Sequence, residues 1–534
     1  MDKIKIERAS YPEEVGVSSK TLYRLVDDFE QSGQELHSLI VLRHGKVAFE
    51  LYRSPYNPDS PHAVNSFSKS VTSTAAGFAI EEGLFGLDSK INGFFPEFAD
   101  RNKSPYAPTL TIRHILTMTT GKNINVARDK SKIDWTEDFF KAPFKYEPGT
   151  HFHYTNENAY IISALIKRLT GLSLREYLQP RLFEPLGIDF PVWETDRNGI
   201  EAGGWGLFLK PEDGAKFIQC YIDKGRFNGK QIIPERWVEE CGKPQVKNDE
   251  NYKRDSKAGY GYQFWMCSVP NTFAARGMFG QQGVIFKDYD AGVFYTSSHP
   301  DEQLPMDVLF RHFPQGFDDS PKDGEYNQKL RDLSETFSLP SPPVSDRSPL
   351  EKTLSGSVID FSKQRFLNLT GMPTSFLPLI ITYMSPNKHG TIHGLSFEFK
   401  ESELILKWYE HDIYNEVPFG LDGGRRYGKI SLAPFEFTTV SHAVWETPSR
   451  LKLFCVLLES AGTRTFVFKF KKRGIRVYQS STPSGKGICD NISLLAKAFV
   501  GNDFLYQGVK ILLKLAPPIL EPSIRAYIKG NKSI

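Results

Sequence analysis

The hydrophobic pattern of the first 315 residues changes from mixed to helical and then to strand-like. A helical face follows Ser18, a residue that can cap it, and its apolar positions are Leu22, Leu25, Val26 and Phe29. Two apolar runs joined by His44-Gly45 predict a hairpin. The pattern then predicts mostly helix from residue 66 to about 190, and strands again from about 259 to 298. Because elements from both ends enclose a helical middle, we expect an α/β sandwich with an all-α lobe and a pocket between the lobes.

Beyond residue 315 the pattern changes twice more. Residues 316–349 predict a linker, because several prolines stand among polar residues: Pro321, Pro340, Pro342 and Pro343. Residues 350–490 predict a mostly β domain, a sandwich or a small barrel, because apolar positions alternate with a period of two, as in Leu404/Leu406/Trp408 and Phe466/Phe468/Phe470. This β domain contains no recognisable set of catalytic side chains.

Residues 491–534 predict an amphipathic helical tail. Its apolar face consists of Leu505, Val509, Leu512, Leu513 and Ala516, and Lys510 and Lys514 lie among them. A basic amphipathic helix can lie on an anionic membrane, and the same stripe can also pack on the helix's own domain. We expect the tail to pack on its own domain.

A Ser-x-x-Lys pair, Ser66 and Lys69, opens one of the helical patterns. Three residues are nearly one helical turn, so the lysine amine can reach the serine hydroxyl and take its proton. If Asn65 caps this helix, the Ser66 backbone N–H is an unpaired first-turn donor that favours an oxyanion. The same tetrapeptide occurs at Ser385 and Ser449, but proline lies within or directly before those copies and neither opens a long helix.

A second candidate site is Tyr154-x-Asn156, the only Tyr-x-Asn in the chain. It follows a Pro-Gly-Thr turn and precedes an amphipathic helix. A tyrosine brought beside a Ser/Lys pair can pass a proton between nucleophile and leaving group, and the asparagine can bond a substrate carbonyl and the lysine. A glycine-rich strand at residues 273–283 can close the pocket and supply a second oxyanion donor.

At these residues the chain resembles the serine β-lactamase/transpeptidase superfamily. The resemblance covers roughly residues 10–315 and favours the branch of class C β-lactamases, family VIII esterases, D-aminopeptidases and 6-aminohexanoate-dimer hydrolases. It implies an antiparallel sheet flanked by helices plus an all-α lobe. It also implies Ser66 as the acylated nucleophile, Lys69 as general base and Tyr154 as proton shuttle, with Asn156 near the substrate. The implied oxyanion donors are the backbone N–H groups of Ser66 and of the strand at Gly280 and Gln281.

The third motif departs from the pattern of penicillin-recognising members. Class C enzymes have Lys-Thr-Gly where this chain has Met278-Phe279-Gly280-Gln281. The cation and hydroxyl that would hold a β-lactam carboxylate are therefore missing. A carboxylesterase or linear amide hydrolase of small molecules is the favoured function. The alternatives are a D-stereospecific peptidase or transpeptidase, a weak β-lactamase, or a non-catalytic sensor or scaffold.

Composition narrows the partners and the compartment. The net charge of +3, from 66 basic and 63 acidic residues, argues against nucleic acid. Five widely spaced cysteines indicate reduced thiols, and the histidines have no metal-ligand spacing, so we expect neither a metal nor a cofactor. The amino end lacks an apolar signal core, which predicts a cytoplasmic protein. Neither the natural substrate nor the oligomeric state follows from the sequence.

Overall fold

A computed structural model of the chain describes residues 4–122, 133–248, 255–321, 324–361, 378, 392–410, 412–432, 435–472, 474–490, 493, 503–521 and 523–529. The chain divides into two compact units, and the boundary lies between Phe337 and Ser338.

The first unit is built on a mixed, mainly antiparallel sheet. Its described strands, in chain order, are β1 Glu7–Arg8, β2 Leu36–Arg43, β3 Lys46–Tyr52, β4 His62–Ala63, β5 Phe208–Leu209, β6 Arg226–Phe227, β7 Lys230–Gln231, β8 Trp265–Met266, β9 Thr272–Gly277, β10 Gln281–Phe286 and β11 Ala291–Ser297. Seven of these described strands form one sheet in the order β1-β3-β2-β11-β10-β9-β8, so strands from both ends of the unit meet at the β2–β11 pair. The four others form two short antiparallel pairs, β4–β5 and β6–β7.

Helices cover both faces of this sheet. The described α-helices of the unit are α1 Ser19–Gln31, α2 Ser68–Glu81, α3 Ile91–Phe94, α4 Ile112–Leu116, α5 Trp135–Lys141, α6 Glu157–Thr170, α7 Leu174–Leu178, α8 Pro211–Ile222, α9 Glu235–Cys241, α10 Gln303–His312 and α11 Asn327–Thr336. Helix α1 begins after its cap Ser18, as predicted, and packs with α10 on one face. Helix α8 packs on the other face, where Gly214 fits against the ring of Phe294. The predicted α/β sandwich with a helical lobe is confirmed.

The predicted linker, residues 316–349, is divided between the two units. Phe317, Leu330 and Phe337 are buried in the same apolar core as α1 and α10. Helix α11 therefore packs on the first unit, although prolines flank it, because its few apolar residues face that core. The second unit begins at Ser338.

The second unit is barrel-like. Its described strands are β12 Val358–Asp360, β13 Ile392–Phe399, β14 Glu403–Glu410, β15 Ile413–Gly420, β16 Arg426–Leu432, β17 Phe435–Thr447, β18 Arg450–Leu457, β19 Thr463–Lys471, β20 Gly474–Thr482 and β21 Ile524–Ile528. They pair in the order β15-β14-β13-β12-β21-β20-β19-β18-β17-β16, and a further β15–β17 pairing brings the two ends of the sheet together. The predicted mostly β domain is confirmed, and of the two arrangements considered the barrel describes it.

The predicted helical tail is only partly helical. Its described helices are α13 Asp503–Leu515 and α14 Pro517–Leu520, and the short helix α12 Glu351–Leu354 opens the unit. The tail then adds β21 between β12 and β20. Leu512 of the predicted apolar face is 68% exposed and Val509 and Leu513 are half-buried, whereas Tyr506, which is outside that face, is buried. Within the described residues, every helix is too short or too polar to cross a membrane.

Candidate active site

Ser66 lies in a tight turn that precedes α2. The turn Asn65–Phe67 is a 3-10 helix, and α2 begins at Ser68 with Phe67 as its cap. The expectation that Asn65 caps the helix was wrong. Asn65 has a left-handed backbone, with φ of 49°, and its side-chain amide donates instead to the Met278 carbonyl at 2.9 Å. The asparagine thereby ties the turn that carries Ser66 to the end of β9.

Helix α2 is buried from Ser68 to Ala79, although many of its residues are polar. Their hydroxyls bond the backbone of surrounding loops: Ser70 donates to the Gln263 carbonyl, Thr72 to that of Gly203 and Ser73 to that of Tyr262, at 2.6 to 2.8 Å. A buried hydroxyl without a partner would be costly, so these bonds fix the position of the helix. Ser66, just before the helix, remains partly exposed.

The Lys69 amine lies at the centre of the candidate site. Its Nζ is 3.0 Å from Ser66 Oγ, 2.7 Å from Asn156 Oδ1 and 2.7 Å from the Gly204 carbonyl oxygen. An ammonium can donate to all three atoms. A neutral amine can donate to Asn156 and Gly204 and still present its lone pair to the Ser66 hydroxyl. The same geometry therefore suits both protonation states.

The environment of Lys69 favours the neutral amine. Its side chain is 1% exposed, and burial lowers the pKa of Lys69 from 10.5 to about 7. The charges of Glu157 and Glu302 raise this pKa, but their effect is smaller than that of desolvation. A substantial fraction of the molecules therefore holds a neutral amine beside Ser66 near neutral pH.

Tyr154 and Asn156 come from the segment that leads into α6. The Tyr154 ring faces the Lys69 amine, with 4.8 Å between Nζ and the ring centroid. It also packs against Trp265 at 5.2 Å and Tyr260 at 6.2 Å between ring centroids. Tyr154 and Asn156, which follow Lys69 by 85 and 87 residues along the chain, thus meet around its amine.

The third predicted segment, residues 273–283, approaches the Ser66 turn at Gly277 and Met278. A Cβ at Gly277 would lie 2.2 Å from the Val64 carbonyl oxygen, and Met278 accepts from Asn65. Gly280 instead lies against Ser297, and the Gln281 side-chain amide donates to the Ser297 carbonyl at 2.8 Å. The reason is that residues 278–280 form the turn between β9 and β10. The oxyanion role of Gly280 and Gln281 stays a prediction.

Sequence reasoning missed two contributions to the site. The Gly204 carbonyl accepts from Lys69, and a side chain at Gly204 would come within 2.9 Å of the Asn156 backbone. The Gly-Gly-Trp-Gly run at residues 203–206 was the sequence feature that could have indicated this close approach of the backbone. The aromatic wall formed by Phe152, Tyr260 and Trp265 had no short motif to reveal it.

Four of the nine described non-glycine residues with positive φ lie around this site: Asn65, Met118, Gln263 and Phe279, with φ between 49° and 67°. Asn65 lies in the Ser66 turn and Phe279 in the β9–β10 turn, Met118 packs in the aromatic cluster, and the Gln263 carbonyl holds Ser70. Strain of this kind persists where surrounding structure enforces it and often marks functional sites.

Three comparisons identify relatives of the chain. Residues 26–311, more than half of the chain, match the family model described as Beta-lactamase. A 6-aminohexanoate-dimer hydrolase from Paenarthrobacter ureafaciens is 25% identical over 54% of this chain and 80% of its own length. A lovastatin esterase from Penicillium rubens is 27% identical over 27% of this chain and 43% of its own, so less than half of that relative is matched.

A solved penicillin-binding protein homologue from Caulobacter crescentus aligns with 56% of this chain and 99% of its own length, at 15% identity and a TM-score of 0.47. The match of the family model coincides with the first unit and includes Ser66, Lys69, Tyr154 and Asn156. The chain therefore belongs to the β-lactamase family.

Proposed function

We propose that the chain is a serine hydrolase that cleaves small neutral esters or amides through an acyl-enzyme on Ser66. The observation that carries the proposal is the buried Lys69 amine, 3.0 Å from Ser66 Oγ and with its pKa lowered to about 7. An amine of this kind can act as general base at neutral pH, whereas an ordinary surface lysine cannot.

The proton path follows from the contacts of Lys69. The neutral amine takes the Ser66 proton while Oγ attacks the substrate carbonyl carbon, and the new ammonium donates to Asn156 and Gly204. As the carbonyl re-forms and the bond to the leaving alcohol or amine breaks, Tyr154 gives its hydroxyl proton to that leaving group and takes a proton from the Lys69 ammonium in return. Water then attacks the acyl carbon while the neutral Lys69 amine takes a proton from it. The bond to Ser66 Oγ breaks, Oγ takes the proton back from Lys69, and the acid is released.

The oxyanion needs donors on the outer side of Ser66. We assign the Ser66 backbone N–H as one, because it lies at the start of the 3-10 turn, before the Phe67 N–H that donates to the Val64 carbonyl at 3.1 Å. We assign the second donor to the backbone at Met278, because Gly277 and Met278 approach the Ser66 turn whereas Gly280 faces Ser297. The Asn65–Met278 bond fixes the distance between the two donor segments.

The walls of the site suit an uncharged substrate. Phe152, Tyr154 and Met278 are partly exposed near Ser66, and Trp265 lies behind them. Arg276 is on β9 but is 5% exposed and bonds Ser256 and the Glu302 carbonyl. Among the described residues, Lys69 is the only cation that hydrogen-bonds Ser66. We therefore expect a substrate carboxylate, as in a penicillin, to lack a cationic partner there.

A substrate panel tests this proposal. Short-chain p-nitrophenyl esters, linear amides, D-amino-acid amides and nitrocefin are compared at equal concentration by steady-state kinetics. We expect the highest kcat/KM for the neutral esters and amides, because the apolar wall binds their acyl groups and no cation is needed. Faster turnover of nitrocefin or of D-amino-acid amides would favour a β-lactamase or D-peptidase, and turnover of none of them would favour a scaffold.

Replacing Tyr154 by phenylalanine should remove proton transfer and retain packing. The ring contacts with Trp265 and Tyr260 do not need the hydroxyl. We expect kcat to fall by roughly 10²-fold or more, the range of a positioned acid or base, with little change in Tm. Steady-state kinetics and thermal unfolding measure both. An unchanged kcat would remove Tyr154 from the mechanism.

The pH dependence of kcat/KM should reflect Lys69. The base must be neutral, so the rate should be low below the pKa of about 7 and rise to a plateau above it. Lys122 provides a control, because burial also lowers its pKa to about 7 but it lies near Phe139 and Phe144 instead of Ser66. The Lys122→Met variant should keep the same acidic limb, and loss of that limb would contradict the assignment to Lys69.

A further inference from the structure

The outer face of the β unit carries a row of cations that the hydrolase proposal does not use. Lys469 on β19 lies directly opposite Arg476 on β20, and Arg476 lies directly opposite Arg525 on β21. Their chain neighbours Phe468, Val477 and Ala526 are buried in the barrel, so the three cations share the outer face. We call Lys469, Arg476 and Arg525 the cation row.

Like charges that face each other across strands destabilise a sheet. In the described part of the chain, none of the three cations forms an ion pair with a carboxylate; Arg476 donates to the Ser523 hydroxyl at 3.1 Å. Elsewhere on the same barrel the lysines are neutralised, as in the pairs Lys407–Glu398 and Lys429–Glu436. The cation row therefore concentrates positive charge that an external anion can compensate.

A cavity of about 210 Å³ opens beside the cation row. Arg476 and Arg525 line it together with Lys471, Tyr527 and Gly474. Gly474 lets the Tyr527 ring close one side, since a Cβ there would lie 3.3 Å from the ring. Three cationic side chains thus converge on one small concave site.

We propose that this site binds a compact anion with two or three phosphate groups, either a free oligophosphate or the headgroup of an anionic phospholipid. Guanidinium groups bind phosphate oxygens in a bidentate manner, and Lys471 adds a mobile point charge. The cation row crosses two interstrand spacings, roughly 10 Å, which suits a few phosphates.

The positive surface around the cation row is short, which argues against a long polyanion such as a nucleic acid as the ligand. On the β18 side, Arg450 is neutralised by Glu446 at 2.6 Å. On the β12 side, Asp360 is opposite Tyr527. A nucleic acid strand would need a positive surface that continues beyond these carboxylates. The site is thus limited to a short ligand.

Two triple variants of the full chain test the proposal. Lys469→Gln, Arg476→Gln and Arg525→Gln together neutralise the cation row. The matched control, Lys400→Gln, Lys407→Gln and Lys429→Gln, removes the same charge from other parts of the barrel, where each lysine is paired with a carboxylate. Tripolyphosphate binding is measured by calorimetry at low salt, with monophosphate at equal ionic strength as reference. Phosphatidylcholine vesicles with and without cardiolipin, whose headgroup carries two phosphates, are compared by cosedimentation.

We expect tripolyphosphate or cardiolipin-containing vesicles to bind the native chain and the control, and the row variant to bind at least about tenfold more weakly. Binding of tripolyphosphate alone identifies a soluble ligand, and binding of vesicles that contain cardiolipin, but not of vesicles of phosphatidylcholine alone, identifies a headgroup. Equal binding by both triple variants, or binding of neither probe, would overturn the site. Tighter binding of a single-stranded oligonucleotide would overturn the choice of ligand.

Thermal unfolding separates a ligand site from a structural role. Without ligand, the row variant should unfold at the same or a higher temperature than the native chain, because its repulsion is removed. Tripolyphosphate should raise the Tm of the native chain and leave that of the row variant unchanged. A lower Tm of the ligand-free row variant would contradict the claim of uncompensated repulsion. The single variant Arg525→Gln removes a guanidinium that lines the cavity and gives the same test if the triple variant does not fold.

Discussion

Replacing Ser66 by alanine is expected to lower kcat/KM for p-nitrophenyl esters by at least about 10⁴-fold, because the acyl-enzyme can no longer form. The fold should be retained. Ser66 is partly exposed, and α2 is held by the hydroxyls of Ser70, Thr72 and Ser73, which do not change. Steady-state kinetics and circular dichroism measure the two effects.

The chain contains its own control for this substitution. Ser449 belongs to another Ser-x-x-Lys tetrapeptide but is exposed at the β17–β18 turn, and its Lys452 is 3.9 Å from Glu446. Ser449→Ala should therefore keep full activity. If Ser66→Ala retained ester turnover in a preparation free of other esterases, the nucleophile would lie elsewhere.

Replacing Lys69 by methionine should lower kcat by roughly 10³-fold, within the range of a positioned general base, and should change KM much less. Methionine fills a similar volume in a site that is 1% exposed, so the packing around α2 should persist. Asn156 Oδ1 and the Gly204 carbonyl lose their donor. We expect a modest fall in Tm from these two buried acceptors.

The pH profile of the activity of the Lys69→Met variant distinguishes a catalytic role of Lys69 from a role in positioning the substrate. The residual activity of Lys69→Met should lack the acidic limb near pH 7, because the group that titrates there has been removed. A variant with the native pH limb and only a raised KM would show that Lys69 merely positions the substrate. The buried Lys122→Met variant controls for the loss of a desolvated amine.

The sequence predicted the parts of the site that depend on local geometry. The spacing of Ser66 and Lys69 determines their contact, because one helical turn brings the two side chains together. The meeting of Tyr154 and Asn156 with Lys69 is a tertiary contact, which the Tyr-x-Asn motif made chemically plausible and the family resemblance implied. The Gly204 carbonyl could not be predicted, since every residue has a carbonyl and only the fold shows which one faces the amine.

The segment at residues 273–283 shows a second limit of prediction from the sequence. Its glycines indicated a tight approach but did not show where the chain turns. The turn at residues 278–280 places Gly280 and the Gln281 side-chain amide against Ser297. Gly277 and Met278 instead contact Val64 and Asn65, next to Ser66. A shift of a few residues in a hairpin turn decides which backbone group faces the nucleophile, and periodicity cannot resolve such a shift.

In the second unit, the alternation of apolar and polar residues predicted the strands but not which strands pair with each other. The five residues of β21 follow two helices, and their pairing with β20 depends on contacts about 50 residues away. The exposed face of α13 and the packing of α11 on the first unit likewise depend on tertiary neighbours.

The most direct test of the central claim is mass spectrometry of the full chain after treatment with a fluorophosphonate. If the Lys69 amine activates the Ser66 hydroxyl, one adduct should form and map to Ser66, faster at pH 8 than at pH 6, and it should be absent from Ser66→Ala. An adduct on another serine, or none on the folded native chain, would contradict the account.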